Sequence, residues 1–358
     1  MIPAAVAGEL LGLAAARHVL GLDFREAFWP AGRAVLDGRT PYPPLDGNVL
    51  ARGTSFVYPP LVALLVAPLA LLPVTVATAL AVIATALALA GTLRALDVRD
   101  WRCYGAAFAS APVLDCIQTA SMSAFFALGI ALAWRFRAHG LRTPLLVAAL
   151  IAAKLFLWPL LLWLVVVRGV RSALLTALGA GAAVLAPWLL GFPGLTEYPR
   201  LLSLLVDVEG RDGYSPRALA LALGAGPGLA QALAVAAGGC VLATAALELR
   251  SGGAQLRALA LTLLASLLFS PLVWSHYFVV LLPVIAIASP RLRWPWFVLI
   301  VFWAGGGAPT VAGGTPQVAL GLAVMIVAAL AGVLPPRATG SLRLQLRRGT
   351  FASPAGPG

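Results

Sequence analysis

Charge is what this chain has least of. Only 11% of its 358 residues are charged, against about a quarter in soluble globular chains, and its mean hydropathy is +0.95. Acids number 13, and Lys154 is the single lysine beside 24 arginines. This scarcity excludes a soluble globular domain. The 61% apolar residues run in long Ala, Leu and Val stretches rather than the period-2 alternation of a membrane β-barrel. An all-α polytopic membrane protein follows, because in lipid a helix satisfies its own backbone polar groups.

Cysteine is scarce as well. Cys103, Cys116 and Cys240 fall in or beside apolar runs without paired spacing, which removes a disulfide framework and reads as buried small hydrophobes. The three histidines, His18, His139 and His276, are scattered, so no metal-ligand cluster is expected. No Gly-rich loop is present to cradle a nucleotide. A net charge of +12 invites nucleic acid as a partner. The arginines, however, sit in short loops between apolar segments, as positive-inside topology requires, and no nucleic acid is expected.

Those arginines orient the chain. Arg94/Arg99/Arg102, Arg135/Arg137/Arg142, Arg168/Arg171, Arg250/Arg257, Arg291/Arg293 and the tail from Arg337 to Arg348 mark short basic loops. Residues 23–57 hold four arginines against four acids, and 192–217 hold three against four. The bias therefore places the short loops and the tail in the cytoplasm and both long loops outside. About 11–12 apolar segments are expected in one membrane domain over 1–336, with a basic disordered tail at 337–358 that meets anionic lipid. The opening twenty residues, carrying Glu9, Arg17 and His18, read as a poor first membrane helix rather than a cleaved signal.

Several segments are too short to cross. The pieces 103–114 and 121–134, with Asp115 and Gln118 at their turn, rise about 18–21 Å as helix, short of a roughly 30 Å core. A second such pair joins near Lys154 between 142 and 168. A third climbs from 258 to 270 and descends from 278 to 289. Residues 59–93 read as a short helix broken at Pro73 and then a full span. Turns of this kind belong inside protein or beside a wet cavity.

An ionisable side chain at membrane depth costs roughly 2.5–3.5 kcal/mol and is a functional candidate by default. Asp23, Asp115, Lys154 and His276 all fall on the outer side of this topology. Each has a bland alternative. Asp23 caps a helix beginning at Phe24; Lys154 snorkels or pairs with Asp115; His276 is a satisfied interfacial histidine. Phe24, Phe28, Ala31 and Val35 form one stripe of a helix ending at Leu36, with Arg25, Arg33 and Asp37 elsewhere. That pattern predicts an amphipathic helix lying on the membrane surface. Trp29 and Tyr42 suit an interfacial aromatic belt, and Pro60 suits the first turn of the next helix. A surface helix beside an acid fits a substrate with a lipid tail and a polar head.

The segment "LDFREAFWPAGRAVLDGRTPYPP", with Asp23, Phe28-x-x-Ala31 and Leu36-x-Gly38-x-x-x-Tyr42, resembles the opening outer loop of integral-membrane glycosyltransferases of family 87, in the GT-C superfamily. "FVYPPLVALLVAPLALLP", "AALIAAKLFLWPLLLWLVVVRGVR" and "SPLVWSHYFVVLLP" are similar to that family's later blocks, in order, out to Pro283. A chain this rich in alanine and arginine resembles the actinobacterial members. The resemblance implies a GT-C-like helical bundle and a transferase whose donor is a polyprenyl-phosphate sugar, most often mannose. The acceptor would be a glycolipid or cell-envelope glycan outside the cytoplasmic membrane. It implies Asp23 as general base and gives His276 the histidine of the S-P-x-x-W-x-H block. Arg25, Tyr58, Gln118, Lys154 and Trp274 are the candidate substrate-binding residues: Lys154, with His276, for the phosphate, and Gln118, Tyr58 and Trp274 for the sugar. No cofactor and no metal ion are expected, and the absence of a second placed carboxylate nucleophile points to inversion. The chain departs from the family's Gly-Gln-x-Asn at Ile117 and Ala120. Two other classes compete: a transporter or flippase of lipid-linked sugars, and a non-catalytic membrane scaffold.

Overall fold

The computed structural model describes residues 19–46, 50, 53–250, 255–305 and 314–333, with the isolated positions 8 and 12. Glu9, Arg17, His18 and the tail 337–358 lie outside the described residues, and so do the expectations for them. Among the described residues there is no strand, and the chain is a bundle of helices.

A π-helical turn, Phe24–Phe28, runs straight into α1, Trp29–Leu36. Phe24, Phe28, Ala31 and Val35 are all buried, as the periodicity requires. The partner differs from the expectation. Helix α1 lies on α2, Pro60–Val66, and on the 3-10 turn Leu69–Leu71. A Cβ added to Gly32 would meet the Ala67 backbone at 3.3 Å. Small residues let the two backbones close up, so the apolar stripe is buried on protein and not on the membrane surface.

Helix α3, Val74–Ala95, begins directly after Pro73 and with 22 residues spans about 33 Å. The expected pair around Asp115 is instead three helices: α4, Trp101–Phe108; α5, Ala111–Thr119; and α6, Ser123–Arg135. Helices α5 and α6 meet at 116°. Pro112 in the first turn restarts the chain as helix, which puts Asp115 inside α5. The turn itself is made by Ala120, left-handed at φ 54°, at the far end of the expected stretch between 114 and 121.

The break near Lys154 is as expected. Helix α7, Arg142–Ala153, stops at Lys154, whose backbone is extended (φ −149°, ψ 107°), and after a 3-10 turn α8 runs over Leu160–Arg168. Helix α9, Val170–Leu189, leads to the second long loop, which carries a helix of its own, α10, Glu197–Glu209. Then follow α11, Pro216–Ala222; α12, Pro227–Arg250; and α13, Gln255–Phe269. Every residue of α13 from Ala258 to Leu268 is buried, because it stands among α8, α12 and α16, Thr315–Val333. Between α13 and α16 come a 3-10 turn, Ser275–Leu281, then α14, Leu282–Ala288, and α15, Pro295–Val298.

Among the described residues four helices are long and apolar enough to cross a membrane: α3, α9, residues Pro227–Leu247 of α12, and α16; the bent pair α5–α6 would make a fifth span. The shorter apolar helices are packed among them, as in a multi-pass membrane protein.

Candidate functional site

Asp23 is positioned by its backbone. Gly21 donates its N–H to the Gln118 carbonyl at 2.5 Å, tying the chain to the end of α5. Gly21 has φ +69°, and a Cβ there would stand 2.1 Å from Thr78 Cγ2 on α3. Only glycine fits a left-handed residue pressed against a helix. Gly21→Ala is therefore expected to cost about 1–3 kcal/mol and to lower the thermal midpoint in detergent. Adding Thr78→Ser, which removes the clashing methyl, should recover part of that loss but not all, since the positive φ persists.

The Asp23 carboxylate makes no capping bond. Its own backbone is right-handed helical (φ −61°, ψ −42°), whereas a capping acid needs an extended backbone to reach the next amides. The capping role is thus not taken up, and the carboxylate faces elsewhere. Burial pushes its pKa up to about 6; the His276 imidazole opposes this, the Asp115 carboxylate adds to it and the Lys154 ammonium opposes it.

His276 is fixed from behind. Its Nδ1 lies 3.2 Å from Asp115 Oδ2, and the Ser275 hydroxyl donates to the same oxygen. Asp115 is 1% exposed. A carboxylate on Nδ1 sets the ring's orientation. The other nitrogen, Nε2, then faces Asp23, 4.0 Å from Oδ2. Asp23, His276 and Asp115 form a chain of two acids bridged by one imidazole.

Lys154 is buried, which excludes snorkelling, and among the described residues no carboxylate lies within ion-pair distance of it. The alternative pairing with Asp115 is not formed, since that carboxylate meets His276. Its Nζ sits 3.8 Å from the centroid of the Tyr58 ring and 5.2 Å from that of Tyr277. The ammonium's near neighbours are thus ring faces rather than an acid. Tyr277 is itself held by a parallel stack on Phe156, 5.5 Å away.

These residues border a cleft of about 190 Å³ lined by Asp23, Phe28, Tyr58, Trp274, His276 and Tyr277, among others. That is roughly six liquid-water volumes, room for a small polar ring. Of the residues singled out in the sequence, Asp23, Tyr58, Trp274 and His276 share its wall. Lys154 stands behind Tyr58 and Tyr277. The Arg25 guanidinium meets Glu26 at 3.0 Å, away from the wall. Gln118 contributes its carbonyl to Gly21, and its neighbour Thr119 lines the cleft in its place. Neither Ile117 nor Ala120 lines it, so the two departures from the family pattern take nothing from the wall.

Tyr277 and Ser275 were legible only as neighbours of His276 in "WSHY". Asp115 was visible as a misplaced acid, without its partner. Among the described residues no three His, Cys, Asp or Glu side chains gather as a metal site. Residues 56–275, more than half of the chain, match the family model of glycosyltransferase family 87. No curated protein and no solved structure matches the chain.

Proposed function

The chain belongs to glycosyltransferase family 87 and is a membrane glycosyltransferase; on that premise we propose that it transfers a hexose, mannose in the first instance, from a polyprenyl-phosphate sugar to a glycolipid or cell-envelope glycan on the outer side of the cytoplasmic membrane. The observation that carries this reading is the Asp23 carboxylate, uncapped and 4.0 Å from a histidine nitrogen, on the wall of a cleft of sugar-ring scale.

Asp23 takes the proton of an acceptor hydroxyl. That oxygen attacks the anomeric carbon, and the bond from this carbon to the phosphate oxygen breaks, its electron pair leaving with the lipid phosphate. Displacement in one step inverts the anomeric centre. A carboxylate partly removed from water is a stronger base than one in solution. The departing phosphate gains negative charge, and His276 with its Nδ1 held by Asp115, together with Lys154, supplies compensating positive charge. Tyr58 and Trp274 offer ring faces to the sugar. The reading takes the lipid-linked sugar as substrate and calls on no cofactor or metal ion.

Purified protein in liposomes, given polyprenyl-phosphate mannose and a membrane glycolipid, tests it. Formation of a new glycosidic bond supports transfer. Movement of the lipid between leaflets with its sugar bond intact would make the protein a flippase instead. In the same assay the acid limb of kcat/KM should fall with an apparent pKa near 6, because Asp23, raised to about 6, must be ionised to act. A limb near 4 would place the base elsewhere.

A further inference from the structure

A second cleft adjoins the first. It encloses about 300 Å³, and Ala27, Thr54 and Ser55 line both. The two follow one another along one helix face. Asp23 is on the wall of the first, Ala27 on both walls and Ala31 on the second, each four residues after the last and so about one turn further on. A ligand lying in the second cleft thus approaches the Asp23 cleft over a methyl side chain.

The partition between the clefts is short of hydrogen bonds. Thr54 to Val57 belong to no helix, and among the described residues none of their backbone N–H or C=O groups pairs with another backbone group. The hydroxyls of Thr54 and Ser55, both half-buried, make no hydrogen bond there either. Polar groups this far inside a fold are normally paired, so the partition presents unmet donors and acceptors to whatever occupies the clefts. On the far wall Thr40 Oγ1 accepts from the Tyr42 N–H at 3.3 Å and keeps its own proton to give. Tyr42 is buried and fixed: its hydroxyl donates to the Tyr58 carbonyl at 3.2 Å and its ring stacks on Tyr198 at 5.2 Å. Little ordering is then needed on binding.

The charges on this wall are already paired within the chain. Glu26 meets Arg25 at 3.0 Å, and Arg39 meets Asp37 at 2.8 Å. What the cleft offers is therefore hydroxyls and backbone polar groups, the partners of a neutral ligand rich in O–H, rather than a charge awaiting an anion.

We propose that the second cleft is the acceptor subsite: it takes a neutral sugar ring of the acceptor, hydrogen-bonded to Thr54 and Ser55, while the donor sugar occupies the first cleft beside Asp23 and His276. This rests on the transferase reading above and adds the direction from which the attacking hydroxyl comes. The volume, about ten liquid-water volumes, accommodates such a ring.

The test uses octyl α-mannoside as acceptor and polyprenyl-phosphate mannose as donor. Ala34 lines the second cleft and not the first, so Ala34→Leu fills the one and leaves the other. It should raise the acceptor KM about tenfold or more while the donor KM stays within about twofold. The double variant Thr54→Val, Ser55→Ala, which removes two hydroxyls at nearly constant shape, should raise the acceptor KM about tenfold. An unchanged acceptor KM, or a donor KM that rises in parallel, overturns the assignment. If Ala34→Leu does not accumulate, the double variant decides alone. Should the wild type form no bond at all, the transferase reading itself has failed. Octyl α-mannoside binding, measured by thermal shift in wild type and double variant, then still reports on the cleft. A larger shift in the wild type supports the subsite. Equal shifts, no shift in the wild type, or equal protection by inorganic phosphate overturns it.

Discussion

Asp23→Asn is expected to insert and fold as the wild type does, yet to lose transfer by about two to four orders of magnitude, the usual worth of a positioned general base. Folding should survive because the carboxylate makes no capping bond, and Asn keeps its shape. The chain there is held instead by the Gly21–Gln118 backbone bond and by the burial of Phe24 and Phe28. The acid limb of the pH profile should vanish with the carboxylate. Turnover of the lipid donor with purified variant in liposomes, beside a thermal melt in detergent, checks both halves. A variant that melts like the wild type and retains full activity would remove Asp23 from the chemistry.

His276→Gln is the second large effect, a loss of about 10²–10³ in kcat, the range seen when one stabiliser of developing negative charge is removed. The glutamine amide can reach toward Asp115 but cannot take up a proton, so the part of the compensating charge that His276 would bring to the leaving phosphate is gone. Because that charge develops in the transition state, kcat should fall more than the donor KM rises. Asp115→Asn is a control on the same relay: it acts only through the ring's orientation, so its effect should be smaller. Equal kcat values for His276→Gln and the wild type would refute the assignment of His276 to the leaving group.

Which helices exist was largely written locally. Pro73 starts α3, although the helix before it already ends at Val66; Lys154 marks the join of α7 and α8, and the stripe Phe24, Phe28, Ala31, Val35 is buried as its period demands. The errors came where a local signal had two physical solutions. An apolar stripe asks only to be buried, and α1 found α2 rather than lipid. Asp115 followed Pro112, and the proline began a helix one turn before it, moving the acid from a turn to a helix face. The helix α10 was legible in Tyr198, Leu201 and Leu205, spaced three and four apart, within a loop otherwise rich in charge and Gly/Pro.

The sequence by itself determined the membrane class, the helical content and the scarcity of ionisable groups, because each follows from composition and near-neighbour periodicity. Only the tertiary structure decided what those few groups do. Asp115 and Ser275 are 160 residues apart and share a hydrogen bond; Lys154 lies over Tyr58 rather than against an acid; Glu209 is buried with its Oε1 unpartnered. The burial of a charge and the identity of its partner depend on which helix ends are packed together. That is fixed by the whole core at once and by no stretch of chain alone.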